Sequence, residues 1–125
     1  MSSTGLRYII DDVPAAIEFY TTLLGFTLER DASPAFASVV RDGVRLLLSG
    51  DGSSGKRPLP DGRVQQPGGW NRLHIAVQDL AAEVALLRSA GVIFRTDDVI
   101  SGPGGSQIII EDPSGNPVEL FEPRR

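Results

Sequence analysis

The chain has 125 residues, of which 41% are hydrophobic and 22% charged, with a net charge of -4 at pH 7 and no cysteine. That length favours one compact domain with a self-supporting core. The acidic balance is wrong for a nucleic-acid backbone, and the missing thiols exclude disulfides, thiolate nucleophiles and cysteine-based zinc sites. No apolar run is long enough to span a bilayer, and the N-terminus lacks a basic region followed by an apolar stretch. The expectation is a cytoplasmic protein with neither membrane nor nucleic-acid partners.

Taken in chain order, the first element is an apolar strand in LRYIIDDV, Leu6 to Val13. Asp12 is suited to cap a helix, because its carboxylate accepts from orphan N–H groups. Pro14 sits in the first turn, where its missing donor costs nothing. Val13, Ile17, Tyr20 and Leu24 then fall on one helical face, and Gly25 suits the left-handed residue just past a helix end. FTLERD (Phe26 to Asp31) reads as a strand. FASVVRDGVRLLL (Phe36 to Leu48) reads as two strands around an Arg41–Gly43 turn. Residues 50–68 are rich in Gly, Pro and Ser; they read as a linker between modules, as a mobile flap over a site, or as both.

The second half repeats the first. LHIAVQDL (Leu73 to Leu80) aligns with Leu6 to Val13, and Asp79 takes the cap position. Leu80, Val84 and Leu87 share a helical face that ends at Gly91. VIFRTD (Val92 to Asp97) aligns with FTLERD, and IIIEDPSGNPVELF (Ile108 to Phe121) with the earlier hairpin. SGPGGSQ (Ser101 to Gln107) reads as a Gly-rich loop joining two strands; it precedes no helix and lacks a Lys-Ser/Thr ending, so it is a poor phosphate loop. EPRR at the end reads as a solvated tail. The fold class is α+β: two βαβββ modules in tandem, residues 4–49 and 69–123 of a single domain. Each is a curled mixed sheet with one helix, and the modules form a cleft.

This doubled pattern, carried most specifically by DDVPAAIEFYTTLLGF (Asp11 to Phe26) and EDPSGNPVELFEP (Glu111 to Pro123), resembles the vicinal oxygen chelate superfamily. That group includes glyoxalase I, extradiol dioxygenases and the bleomycin- and fosfomycin-resistance proteins. The resemblance covers nearly the whole chain. It is informative for fold and weak for function, since the fold hosts both metalloenzymes and metal-free binders. It implies a homodimer with a cleft at or near the interface, and in metal-dependent members ligands on the first and fourth strands of each module. Glu119 falls at the last carboxylate ligand. Its first-module counterpart is Leu47, and the first-strand positions, seven residues before Asp12 and Asp79, are Gly5 and Arg72. None of these three binds a cation. His74, the only histidine, lies two positions out of that register.

Strand alternation puts Leu73, Ile75 and Val77 on the helix-packing face and turns Arg72, His74 and Ala76 to the other. On the last strand Glu119 and Phe121 face the same way; in the first module Arg7 and Leu47 do. Trp70, Phe36 and Phe121 are candidates for an aromatic wall, with Trp70 at its lip, or for ordinary packing. The expected ligand-binding set is therefore Arg7, Phe36, Leu47, Trp70, Arg72, His74, Glu119 and Phe121. Alternatively the charged members form a buried network that satisfies only itself. His74 and Glu119 are the candidates for acid–base chemistry and, as an incomplete ligand set, for a divalent metal. The leading expectation is a small-molecule binder with no cofactor, sequestering an aromatic or amphipathic compound in a resistance role. The alternatives are a glyoxalase- or dioxygenase-type metalloenzyme, or a metal-free enzyme using His74 or Glu119.

Overall fold

The computed structural model describes residues 3–125. They form two compact units, one ending at Gly68 and the other running Gly69–Arg125. The first unit follows the expected order: β1 (Gly5–Ile9), α1 (Val13–Glu18), β2 (Thr27–Ala32), β3 (Phe36–Arg41) and β4 (Val44–Ser49). Its sheet is ordered β1-β4-β3-β2, with β1 parallel to β4 and the other pairs antiparallel. The second unit holds β5 (Leu73–Ala76), α2 (Leu80–Ser89), β6 (Ile93–Phe94), β7 (Ile100–Gly102), β8 (Gly105–Glu111) and β9 (Pro117–Pro123). Here the order is β5-β9-β8-β6, β5 is parallel to β9, and β7 also pairs with β8. This is the doubled α+β arrangement that the repeat predicts, with β7 as an added strand in the second unit. Among the described residues no helix is long and apolar enough to cross a membrane.

Both helices start where the carboxylates predict. Asp12 accepts from the Ala15 N–H at 3.1 Å and Asp79 from the Ala82 N–H at 3.0 Å, each satisfying an orphan donor. Most of the predicted faces are buried, Val13, Tyr20 and Leu24 in the first unit and Leu80 and Leu87 in the second, while Ile17 and Val84 are only half-buried. Tyr8, Leu46, Leu48 and Val39 cover the helix side of the first sheet; Ile75, Val118, Leu120, Ile108 and Ile110 do so in the second. Burying a Leu or Ile of this kind contributes about 1.5–3 kcal/mol. Asp112 organises the second hairpin by accepting the N–H groups of Ser114 and Asn116 on one oxygen, each at 2.9 Å.

Five details depart from the sequence reading. The end of the first helix widens into a π-type turn over Phe19–Leu23, which brings Tyr20 edge-on to Phe19 and Phe26. The linker is not featureless: a 3₁₀ turn over Ser54–Lys56 packs on β1 and β4. SGPGGSQ is mostly strand, since β7 and β8 make a tight hairpin through it, and VIFRTD shrinks to the two-residue β6. EPRR is not a free tail. Glu122 accepts from the Leu80 N–H at 2.9 Å, while Arg124 and Arg125 each donate at 2.8 Å to the carbonyls of Gly102 and Gln78. These contacts join residues far apart in sequence, which local patterning does not record.

Candidate functional site

In the second unit the site grows from one register pair. His74 on β5 stands opposite Glu119 on β9, and Ile109 on β8 stands opposite Glu119 from the other side. Paired positions share a face, so these three lie in a row on the side away from α2, with Ala76, Phe121 and Gln107 in the next row. Glu119 is only 7% exposed. Its Oε1 accepts from Arg72 Nε at 3.0 Å and pairs with Arg72 Nη2 at 2.9 Å. That guanidinium supplies the compensation a buried carboxylate needs. His74 Nε2 lies 3.6 Å from Glu119 Oε2, beyond hydrogen-bond length. The imidazole stays well exposed and lies against Phe121, with ring centroids 4.9 Å apart and planes at 39°.

Trp70 joins this arrangement from the entrance to β5. It is 70% exposed, and its carbonyl accepts from Arg72 Nη1 at 3.1 Å. The Arg95 guanidinium stacks on the indole, 4.8 Å from the ring centroid. Arg95 is fully engaged elsewhere: it donates to Glu111 at 2.9 Å, to the Gly69 carbonyl at 2.6 Å and to the Gly115 carbonyl at 3.1 Å. A cation fixed in this way holds the indole in place while leaving one ring face open. The indole makes no ring contact with Phe121 among the described residues. Two aromatic surfaces thus stand on the second unit, one paired with an imidazole and one with a guanidinium. A shallow groove of about 540 Å³ lies elsewhere, beside the start of α2. The helix N-terminus there is already filled by Asp79 and Glu122.

On the first unit, Arg7 stands opposite Leu47 between β1 and β4, and Phe36 on β3 stands opposite Ser49 on β4. Arg7 is exposed; Phe36 and Leu47 are half-buried. Farther along the same sheet, Glu29 binds Arg45 through two bonds of 2.7 and 2.8 Å and Ser38 at 2.9 Å. Arg45 first, then Ser38, holds the Glu29 carboxyl below the usual carboxylate range. Lys56 is raised above the ordinary lysine value chiefly by Asp51, 2.8 Å away.

The model of the Glyoxalase/Bleomycin resistance protein/Dioxygenase superfamily matches residues 5–120. The chain belongs to this superfamily. No curated protein sequence matches it. It is similar to TnmS3, an antibiotic-binding protein from Streptomyces sp. CB03234, at 26% identity over 99% of this chain and 98% of that one, with a TM-score of 0.72. A superfamily member from Sphaerobacter thermophilus DSM 20745 is 25% identical over 98% of both chains, with a TM-score of 0.75. A lactoylglutathione lyase from Agrobacterium tumefaciens shares the fold at 20% identity, with a TM-score of 0.73 over 98% of this chain and 94% of that one.

Metal-dependent members of the superfamily need a ligand set that this chain's residues do not fit. Glu119 Oε1 is taken by Arg72, and Leu47 has no donor atom. A β-carbon at Gly5 would lie 2.7 Å from the Arg45 carbonyl oxygen. Among the described residues no three His, Cys, Asp or Glu side chains cluster closely enough to hold an ion. Of the predicted site residues, Arg72, His74, Glu119 and Phe121 come together directly, with Trp70 joined through its carbonyl. Arg95 and Glu111 were missed. The signal was present in the repeat, where Arg95 stands at the position of Glu29, but their meeting depends on the β6–β8 pairing.

Proposed function

We propose that this superfamily member is a small-molecule-binding protein that sequesters an aromatic or amphipathic compound without a metal ion. The observation that carries the reading is the clamped carboxylate. Arg72 satisfies Glu119, so the His74–Phe121 pair beside it is left as a stacking and hydrogen-bonding surface rather than an ion site. The exposed, Arg95-backed Trp70 adds a second surface of the same kind. The similarity to an antibiotic-binding protein supports a sequestering, resistance-type role. The fold's frequent assembly from two chains makes a homodimer part of the proposal.

The test is a thermal-shift screen against aromatic antibiotics and polycyclic aromatics, with metal analysis of untagged protein. A compound at a hundred times its Kd stabilises by about 2.7 kcal/mol, a shift of several degrees. That shift should largely vanish in Phe121→Ala, and Arg72 should keep the site free of stoichiometric metal. No shift from any compound, together with stoichiometric metal lost in Glu119→Ala, would sink the reading in favour of a metalloenzyme. One further reading has its own observation, the 3.6 Å separation of His74 Nε2 and Glu119 Oε2. It makes His74 a general base on the bound compound. His74→Ala would then abolish turnover while weakening binding by much less.

A further inference from the structure

On the first unit, Arg7, Ile9, Leu47 and Ser49 share the sheet face away from α1, because Arg7 pairs with Leu47 and Ile9 with Ser49. The Ser54–Lys56 turn folds over this face. It is held there by Lys56, whose ammonium donates to the Ile10 carbonyl at 3.0 Å and pairs with Asp51. Gly55, at the centre of the turn and buried, touches the sheet so closely that a β-carbon would sit 2.5 Å from Arg7 Nη1 and 2.6 Å from Ser49 Oγ. A side chain at this position would have to displace the Arg7 guanidinium and the Ser49 hydroxyl.

Two polar groups therefore converge beside Gly55, and neither has a partner. Ser49 is 0% exposed, yet its hydroxyl makes no hydrogen bond. Among the described residues the Arg7 side chain makes no hydrogen bond or ion pair, whereas Arg45, Arg72 and Arg95 each hold a carboxylate. The nearby cation Lys56 is neutralised by Asp51 and Asp11. An unmatched guanidinium next to a buried, unmatched hydroxyl is a receptor for an oxyanion: the guanidinium offers a planar fork and the hydroxyl one more donor. Phe36, register partner of Ser49, and Leu47, register partner of Arg7, provide apolar surface beside it.

We propose that Arg7 and Ser49 form an anion-recognising corner that takes a carboxylate carried on a flat apolar body. This rests on the binding reading above and adds a ligand class to it: an aromatic carboxylic acid, held at this corner of the first unit. The test is an NMR titration of the ¹⁵N-labelled full chain with benzoate and, separately, with uncharged benzamide. Benzoate should shift the Gly55 and Ser49 amide signals saturably, and benzamide should bind them far more weakly. Arg7→Gln should cut benzoate affinity roughly tenfold or more, as expected for loss of hydrogen bonds to a charged group. Ser49→Ala should cut it by a smaller factor. Arg63→Gln, which removes the same charge from an exposed side chain already paired with Asp61, should leave it unchanged. Equal binding of benzamide, benzoate shifts that survive Arg7→Gln, or no saturable shift at all would overturn the proposal. The corner and the binding reading fail separately: a neutral aromatic that binds through Phe121 while benzoate does not saturate would leave the function standing and remove only this corner.

Discussion

The parallel strand pairs β1/β4 and β5/β9 occupy the same place in the two halves and carry opposite chemistry on their open faces. In the first, a cation stands opposite an aliphatic residue, Arg7 with Leu47; in the second, an imidazole stands opposite a carboxylate, His74 with Glu119. One residue along, where side chains turn to the core, the halves agree: Tyr8 with Leu48 and Ile75 with Leu120, all buried. The comparison separates two jobs of one backbone. The inward positions are constrained by close packing, which tolerates little change in volume. The outward positions are set by their partners on that face rather than by core packing, as the Arg72 clamp on Glu119 shows, so duplication of a module yields two faces of different chemistry.

The largest expected effect tests the shared side of the comparison. Leu48→Ala and Leu120→Ala remove equivalent buried side chains and should each cost about 2–5 kcal/mol in urea denaturation. A large cost in one half and none in the other would break the equivalence. The differing side should give smaller and unequal effects. Glu119→Ala leaves the Arg72 guanidinium without its carboxylate and should cost about 2–4 kcal/mol, while Leu47→Ala, half-buried and uncharged, should cost about 1 kcal/mol. Equal costs would mean that the clamp is no more than packing.

The smallest effect is a pH dependence peculiar to the first half. Glu29 is held below its ordinary range by Arg45 and Ser38, so its folded-state pKa lies under its unfolded value. Its contribution is present above the unfolded carboxylate range and is lost as pH falls through that range toward the lower folded value. Stability measured from neutral to acid pH should therefore fall less steeply in Glu29→Gln than in the natural chain. An unchanged slope would show that this exposed pair contributes nothing.

Much of this was legible from residues alone because it is local. Asp12 and Asp79 announce helix starts within three residues, and strand alternation correctly separates Leu73, Ile75 and Val77 from Arg72 and His74. The family motifs supply the order of the elements. What was not legible depends on contacts between distant residues. The stacking of Arg95 on Trp70 joins positions 25 residues apart, and the Ser54–Lys56 turn returns to strands that precede it. The terminal arginines look solvated in sequence and are hydrogen-bonded to backbone carbonyls in the fold. The π-type turn at Phe19–Leu23 lies in a stretch whose apolar spacing also suits a regular helix.

β2 ends the first sheet with all six of its residues exposed, Glu29, Arg30 and Asp31 in its middle and a register slip between Leu28 and Arg30. An open strand margin of that length is a template on which another chain can add, growing sheet upon sheet. The alternating charges and the slip spoil the flat, repeating ladder that such growth requires. The same strand that leaves the first sheet open therefore guards it, and neutralising those charges together should lower the concentration at which the protein precipitates.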